Sequence, residues 1–396
     1  MDSILKRISE INLRYEEVKE AGLYFYLQPL EGLEGAWVSS NGRRMLNLAS
    51  YSYLGLLGHP WIENAAREAI TRYGTGTHGV RILAGSLPLH TELEQTIARF
   101  KKAEDAIVYS SGYVTNLTTV STLVGRNDVV ICDKFNHASI VDGCLLSGAQ
   151  FLRFRHNDMP DLERRLQQAG PDKGKLVIVD AVFSMDGDII NLPEVSRLCR
   201  AYGALLMVDE AHSLGVLGAT GHGIEEHFGL QGAIDIQMGT LSKTIPSVGG
   251  YVAGNRELIT YLKHVARAFV FSAALPPAQS AAAKAAFEVM AEEPARVRTL
   301  RRNTELFLGG LKARGFSTLH SETPIVPIIC GEDQQAFQMA GVCQELGIFA
   351  LPVVSPAVPA GLARLRACVT AAHTESDILH ALDIFERAGQ RLGIVK

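Results

Sequence analysis

The chain has 396 residues, 47% of them hydrophobic and 20% charged, with a formal net charge of -4. That balance can bury a large core, and the length predicts two or three domains of an ordinary soluble protein. The slight acidity, and the lack of any Lys/Arg cluster interleaved with aromatics, exclude a surface built for phosphate backbones, so nucleic acid is not an expected partner.

The opening run MDSILKRISEINLRYEEVKEAG mixes charged and apolar residues at helical spacing and lacks the unbroken apolar stretch of a signal peptide. It predicts a helix on a protein of the reducing cytosol. Asn41-Gly42 inside WVSSNGRRMLNLAS is the strongest short hairpin signal. From about Pro60 to Arg256, helical patterns (WIENAAREAITRYG, LHTELEQTIARFKKA, MPDLERRLQQAG, LPEVSRLCRAYG) alternate with apolar bursts (DAIVYSS, DVVICD, KLVIVDA, ALLMVDE, IDIQMGT, GGYVAGN). Such alternation predicts a mainly parallel sheet covered on both faces.

The helices LITYLKHVARAF and PPAQSAAAKAAFEVMAEEP follow, and a long helix from about Pro294 to Arg314 leads to a closing α+β region. Its strands are expected in TPIVPIIC, IFALPVVS and ARLRACVT, its helices in AFQMAGVCQELG and TESDILHALDIFERAGQRLG. The expected division is a helix and hairpin segment over 1–58, a large domain over 59–293 and a small domain over 294–396. Apolar runs such as KLVIVDAVF are too short to cross a bilayer, which leaves only peripheral membrane contact open. Cys132, Cys144, Cys199, Cys330, Cys343 and Cys368 include no C-x-x-C pair and read as reduced packing residues, with no metal site expected.

Two runs carry the chemistry. In LLMVDEAHSLGVLG an apolar burst ends at Asp209, with His212 three residues on. In DIQMGTLSKT the next burst ends in a hydroxyl-rich loop holding Lys243. Alone, Asp209 is best taken as a helix N-cap and Lys243 as a surface charge. Together, at strand ends where open α/β sheets gather ligands, they suit pyridoxal phosphate (PLP), with Lys243 as its Schiff-base lysine and Asp209 on its pyridine nitrogen. DAIVYSSGY supplies Ser110, Ser111, Gly112 and Tyr113 at a strand-to-helix turn, where free amides favour a phosphate. His137 in DKFNHASIVDG follows another strand and suits a ring-stacking place.

Over nearly its whole length the chain resembles the α-oxoamine synthases. The marks are SYSYLGLLGHP, YGTGTHGVRILAGSLPLHTELE, FNHASIVDG, VFSMDGDIINLPE, VDEAHSLGVLGATGHG, GTLSK, FSAALPP, SPAVPAG and RACVTAAHT, in the family's order. The resemblance implies a fold-type I PLP-dependent transferase of the aspartate aminotransferase-like class, α/β with a smaller C-terminal α+β domain. It implies catalytic roles for Lys243, His137, Asp209 and His212, and phenolic-oxygen contacts from His212 and Ser184. It further implies a phosphate site of Ser111, Gly112, Tyr113, Thr240 and Ser242, completed by Ser272 and Ala273 of the other subunit of a homodimer. Arg366 matches the carboxylate-binding arginine, Arg364 being its decoy, and Tyr51 and Ser52 fall on the substrate side.

The implied reaction joins an amino acid to an acyl-CoA or acyl carrier protein thioester with loss of carbon dioxide. The bacterial serine palmitoyltransferase branch is the nearest resemblance, which implies serine and palmitoyl-CoA going to 3-ketosphinganine. Tyr51, where many relatives place asparagine, and Val80, as in glycine acetyltransferases, keep glycine or alanine with another thioester open. A catalytically silent binding subunit is the alternative of a different class.

Overall fold

The computed structural model describes residues 2–396, which fall into two compact units: the residues up to Ser50 together with Asn303–Lys396, and Tyr51–Arg302. In the smaller unit, helix α1 (Asp2–Glu20) precedes strands β1 (Gly32–Glu34), β2 (Trp37–Ser40) and β3 (Arg43–Asn47). Asn41 and Gly42 join β2 to β3 with φ of 50° and 70°, the pair of positive angles that a tight type I′ hairpin needs.

The larger unit holds helices α2 (Pro60–Tyr73), α3 (Pro88–Lys101), α4 (Gly112–Leu123), α5 (Ala138–Ser147), α6 (Met159–Ala169), α7 (Leu192–Ala201), α8 (Ile224–Phe228), α9 (Arg256–Val265), α10 (Arg267–Val270) and α11 (Pro277–Glu292). Between them run β4 (Asp105–Tyr109), β5 (Val129–Asp133), β6 (Gln150–Phe154), β7 (Lys175–Asp180), β8 (Leu205–Asp209), β9 (Ile236–Thr240) and β10 (Gly250–Gly254). They form one sheet in the order β4-β10-β9-β8-β7-β5-β6, parallel except that β10 runs antiparallel to both its neighbours. Strands β5, β7, β9 and β10 are buried at every residue, as expected of continuous apolar runs covered on both faces. The expected helix through LITYLKHVARAF is broken at Ala266, which ends α9 and opens α10, and buried Phe269 meets Tyr109 edge-on with ring centroids 6.1 Å apart.

Helix α12 (Ala295–Ala313) carries the division between units, and β11 (Ile325–Gly331), α13 (Asp333–Glu345), β12 (Ile348–Phe349), β13 (Pro352–Val353), β14 (Ala363–Cys368) and α14 (Glu375–Arg391) complete the smaller unit. The amino-terminal hairpin is therefore not a segment by itself: β12 adds in parallel to β3, and Leu46 and Leu48 pack in one core with Phe307, Ile348 and Leu365. All six cysteines are buried and unbonded. Among the described residues no helix is long and apolar enough to cross a membrane.

Because Leu46 is fully buried where the hairpin joins the carboxyl-terminal elements, Leu46→Ala is expected to cost about 3 kcal/mol. Leu33→Ala, at a residue 54% exposed, is expected to stay within about 0.5 kcal/mol. Urea unfolding of the two variants checks the difference; equal costs would show that the hairpin does not share that core.

Candidate active site

Parallel strands place their carboxyl ends side by side, and here that puts the ends of β5, β7, β8 and β9 around one cavity of about 290 Å³. Its walls include Ser111, Gly112, Tyr113, His137, Ser184, Asp209, His212, Thr240, Ser242 and Lys243, the residues singled out from separate stretches of sequence. Asp209 ends β8 and is 6% exposed. One of its oxygens accepts from Asn116 Nδ2 at 2.7 Å and the other from the Ala211 amide at 2.9 Å. Lys243 Nζ lies 2.9 Å from His212 Nε2, and His212 Nδ1 is 2.7 Å from the hydroxyl of buried Tyr53.

The opposite wall is the start of α4. Ser111 caps it, its hydroxyl accepting from the Val114 amide at 3.2 Å, so the first amides of the helix point outward without intrahelical acceptors. Only glycine fits at the first position: a Cβ on Gly112 would stand 2.8 Å from Thr240 Oγ1. Thr240 Oγ1 is in turn 2.9 Å from Ser242 Oγ, giving two hydroxyls facing a helix amino terminus. Such a cradle suits a phosphate. A lysine amine, a strand-end carboxylate and a phosphate cradle in one cavity fit PLP.

Asp180 is a wall residue that sequence reasoning missed. It ends β7 directly beside Asp209 in register, is buried, and its Oδ2 accepts from the His137 amide at 3.1 Å. Burial, and then the charges of Asp209 and Asp133, push its carboxyl well above the usual carboxylate range. The signal was present, since KLVIVD is the same apolar burst ending in an acid as LLMVD. Asn116 and Ser139, each within four residues of a recognised one, also line the cavity and were missed.

Four other expected residues of the larger unit, Tyr51, Ser52, Ser272 and Ala273, do not line this cavity. The Tyr51 ring is 6.0 Å from Lys243 Nζ and 6.1 Å from the His212 ring, but it does not line the cavity, and neither does Ser52. Ser272 and Ala273 are also absent from its walls; Ala273 bridges to Val80, and the Ala274 amide donates to the Gly79 carbonyl at 3.0 Å. Arg366 and Arg364 stand two apart on β14 of the smaller unit, both buried, Arg366 Nη1 lying 3.2 Å from Cys368 Sγ and Arg364 Nε donating to the Leu362 carbonyl at 2.9 Å.

The loops carrying His137 and Ser184 are held together by His156. Its Nδ1 is 3.0 Å from Asp133 Oδ1 and its Nε2 is 2.9 Å from Asp188 Oδ2, while Phe135 stacks on the ring at 4.5 Å. Asn157 adds to the tie, its amide donating to Asp133 Oδ2 at 2.7 Å and its side chain to the Ile189 carbonyl at 3.0 Å. Burial works against a charge on His156, but its two carboxylate partners override that and raise it to about 10.

Residues 43–385 match the aminotransferase class I and II family. The chain is 46% identical to the 8-amino-7-oxononanoate synthase of Thermoanaerobacter pseudethanolicus over 97% of its own length and 98% of that protein's. It is also 46% identical to the enzyme of the same name from Geobacter sulfurreducens, over 96% and 98%. A serine palmitoyltransferase from S. paucimobilis, solved holding PLP joined to myriocin, superposes with a TM-score of 0.96 at 34% identity, covering 99% of this chain and all of that one.

A histidine whose folded pKa is raised stabilises most below its unfolded value, near 6.5, and loses that contribution as pH climbs through about 10. His156→Gln is therefore expected to lower stability by roughly 2 kcal/mol near pH 6, the deficit narrowing toward pH 10. Thermal unfolding of both proteins across that range measures it, and a deficit independent of pH would mean that His156 is not charged in the fold.

Proposed function

Because the chain belongs to the aminotransferase class I and II family, and within it to the α-oxoamine synthases, we propose that it joins a small amino acid to an acyl thioester, releasing thiol and carbon dioxide and leaving an α-aminoketone. The observation that carries this reading is Lys243 in one cavity with Asp209 and the Gly112 cradle. Bound PLP supplies an aldehyde that captures amines and a ring that takes up an electron pair from the amino acid's α-carbon.

The roles we propose for the chain's own residues follow. Lys243 anchors the cofactor, and its freed amine takes the α-proton. Asp209 keeps a proton on the pyridine nitrogen, and His212 and Ser184 meet the phenolic oxygen. Ser111, Gly112, Tyr113, Thr240 and Ser242 hold the phosphate. His137 lies against the ring and donates to the substrate carboxylate or the thioester carbonyl, its pKa lowered by burial, against the opposing charge of Asp209 and with that of Lys243. Tyr51 and Ser52 face the incoming thioester. The presence of all four catalytic candidates speaks against a silent binding subunit.

The relatives' name favours a particular pair of substrates. Cutting 8-amino-7-oxononanoate between its seventh and eighth carbons leaves an alanine-derived piece and a seven-carbon acyl group ending in a carboxylate. Alanine with such a thioester is therefore the reading we favour over serine with palmitoyl-CoA. The second reading keeps support from the TM-score of 0.96 to the serine palmitoyltransferase. A panel of alanine, serine and glycine against carboxylated and long-chain acyl thioesters, followed by thiol release, decides between them; no release with any pair defeats both.

We also propose a homodimer. Phe271 and Leu83 are 71% and 81% exposed beside the bridged Val80 and Ala273, an apolar surface suited to a second copy whose Ser272 and Ala273 reach the phosphate. Light scattering of fully active protein at the mass of one chain would refute it. Finally, Arg366 grips the substrate carboxylate through its two parallel donors. Arg366→Ala is expected to weaken amino-acid binding by roughly 2 to 5 kcal/mol while leaving cofactor absorbance unchanged. Spectroscopic titration with alanine and serine reads the effect, and the same loss in Arg364→Ala instead would shift the assignment by two residues.

A further inference from the structure

A continuous polar chain runs behind the cavity from Asp209 to His137, through two residues without an assigned role. Asn116 Nδ2 is 2.7 Å from Asp209 Oδ2 and 2.9 Å from Ser139 Oγ, and Ser139 Oγ is 2.7 Å from His137 Nδ1. Asn116 is 1% exposed and Ser139 is fully buried, so no solvent competes for these bonds.

The direction of every proton in the chain follows from its first member. An ionised carboxylate only accepts, so the side of the Asn116 amide facing Asp209 must be its NH2 group; the reverse would set two acceptors 2.7 Å apart. With one amide hydrogen on Asp209, the second points to Ser139 Oγ, which therefore accepts. Its own hydrogen is left for His137 Nδ1. The Ser139 backbone amide also donates to that nitrogen, at 3.3 Å, which again requires Nδ1 to carry no proton.

We propose that Asn116 and Ser139 are positioning residues that hold His137 in the neutral tautomer with its proton on Nε2, a donor presented to the cavity. The proposal rests on reading the cavity as the cofactor site. Its consequence is chemical: the groups His137 would meet there, a substrate carboxylate and a thioester carbonyl oxygen, only accept hydrogen bonds, so the other tautomer would turn an acceptor toward them. The charge of Asp209 thus sets both the cofactor's protonation and the polarity of the group on the other side of the ring.

Other groups act on His137 as well. Lys243 after β9 and Asp209 on β8 act on it electrostatically, Asp180 on β7 accepts from its amide, and Tyr113 on α4 lies edge-on at 6.2 Å, its hydroxyl donating to Asp142 on α5. None of them reaches Nδ1, which is met by the Ser139 hydroxyl at 2.7 Å and, at the longer distance of 3.3 Å, by the Ser139 amide.

The test uses the full-length protein labelled with nitrogen-15 in its twelve histidines, with the His137 signals assigned by difference from His137→Gln. In the wild type, with and without PLP, His137 is expected to be neutral with the proton on Nε2. Ser139→Ala removes the shorter of the two donors on Nδ1 and leaves the backbone amide, so the His137 pKa and the acid limb of the pH profile of kcat/KM are expected to rise by about half to one unit, and the tautomers to mix. Ser139→Thr keeps the hydroxyl and is expected to restore both, and Asn116→Ala to give the Ser139→Ala behaviour. A purely structural role would lower stability and leave the tautomer and the acid limb in place.

A wild-type His137 that is cationic or protonated on Nδ1 at neutral pH overturns the proposal, as does Ser139→Ala with unchanged signals and acid limb. If Ser139→Ala does not fold, the wild-type tautomer still decides. Failure of the cofactor reading shows separately, as wild-type protein that develops no visible absorbance with PLP.

Discussion

Two carboxyl groups stand side by side at the ends of neighbouring parallel strands, and the polar interior of the large unit is organised around how differently the two are held. Asp209 and Asp180 are register partners of β8 and β7, both largely shut off from water. Like charges this close cannot both persist at low dielectric. The tie is broken by donors: Asp209 has Asn116 and the Ala211 amide, one per oxygen, whereas Asp180 has the His137 amide on one oxygen and, among the described residues, no partner on the other. Asp180, with the poorer set of donors, is the one whose carboxyl is pushed well above the usual carboxylate range. Asp209, with a donor on each oxygen, is the better held of the two for the pyridine-nitrogen role proposed for it.

The same arrangement explains why the cavity's members come from so many elements. Asn116 must reach Asp209 from α4, and α4 can approach the strands only because Gly112 has no side chain and because Gly250 on β10 has none either. A Cβ on Gly250 would stand 2.8 Å from Gly112 Cα and 2.4 Å from Thr115 Oγ1. Phosphate cradle and carboxylate partner thus lie one turn apart on one helix seated against the sheet, and displacing that helix would disturb both.

Much of this was legible from residues alone, for a definite reason. A buried parallel strand is a short apolar burst, and a polar residue ending such a burst sits at the ligand end of the sheet, so Asp209, Lys243, His137 and the Gly112 turn announced themselves. Asp180 followed the same rule and was passed over because no single motif named it. Asn116, Ser139 and Tyr53 have no such mark: a polar residue one helical turn beyond a glycine, or two beyond a histidine, matters only through where the chain folds. The amino-terminal hairpin was legible from Asn41-Gly42, yet its membership of the smaller unit was not, since the pairing of β3 with β12 joins strands separated by most of the chain. Arg364 and Arg366 share one strand face and are both buried, so strand periodicity cannot separate them.

Two histidines in the large unit show how far partners govern this side chain near neutral pH. His156 has a carboxylate on each nitrogen, so both nitrogens must donate; the ring is held cationic to about 10 and works as a charged tie between loops. His137 has a hydroxyl and a backbone amide on one nitrogen, both donating, and the open cavity on its other side. Burial lowers its pKa, against the charge of Asp209 and together with that of Lys243. Had a carboxylate stood where Ser139 does, His137 would be a second fixed cation beside Lys243. The hydroxyl avoids that, and through Asn116 it connects His137 to Asp209.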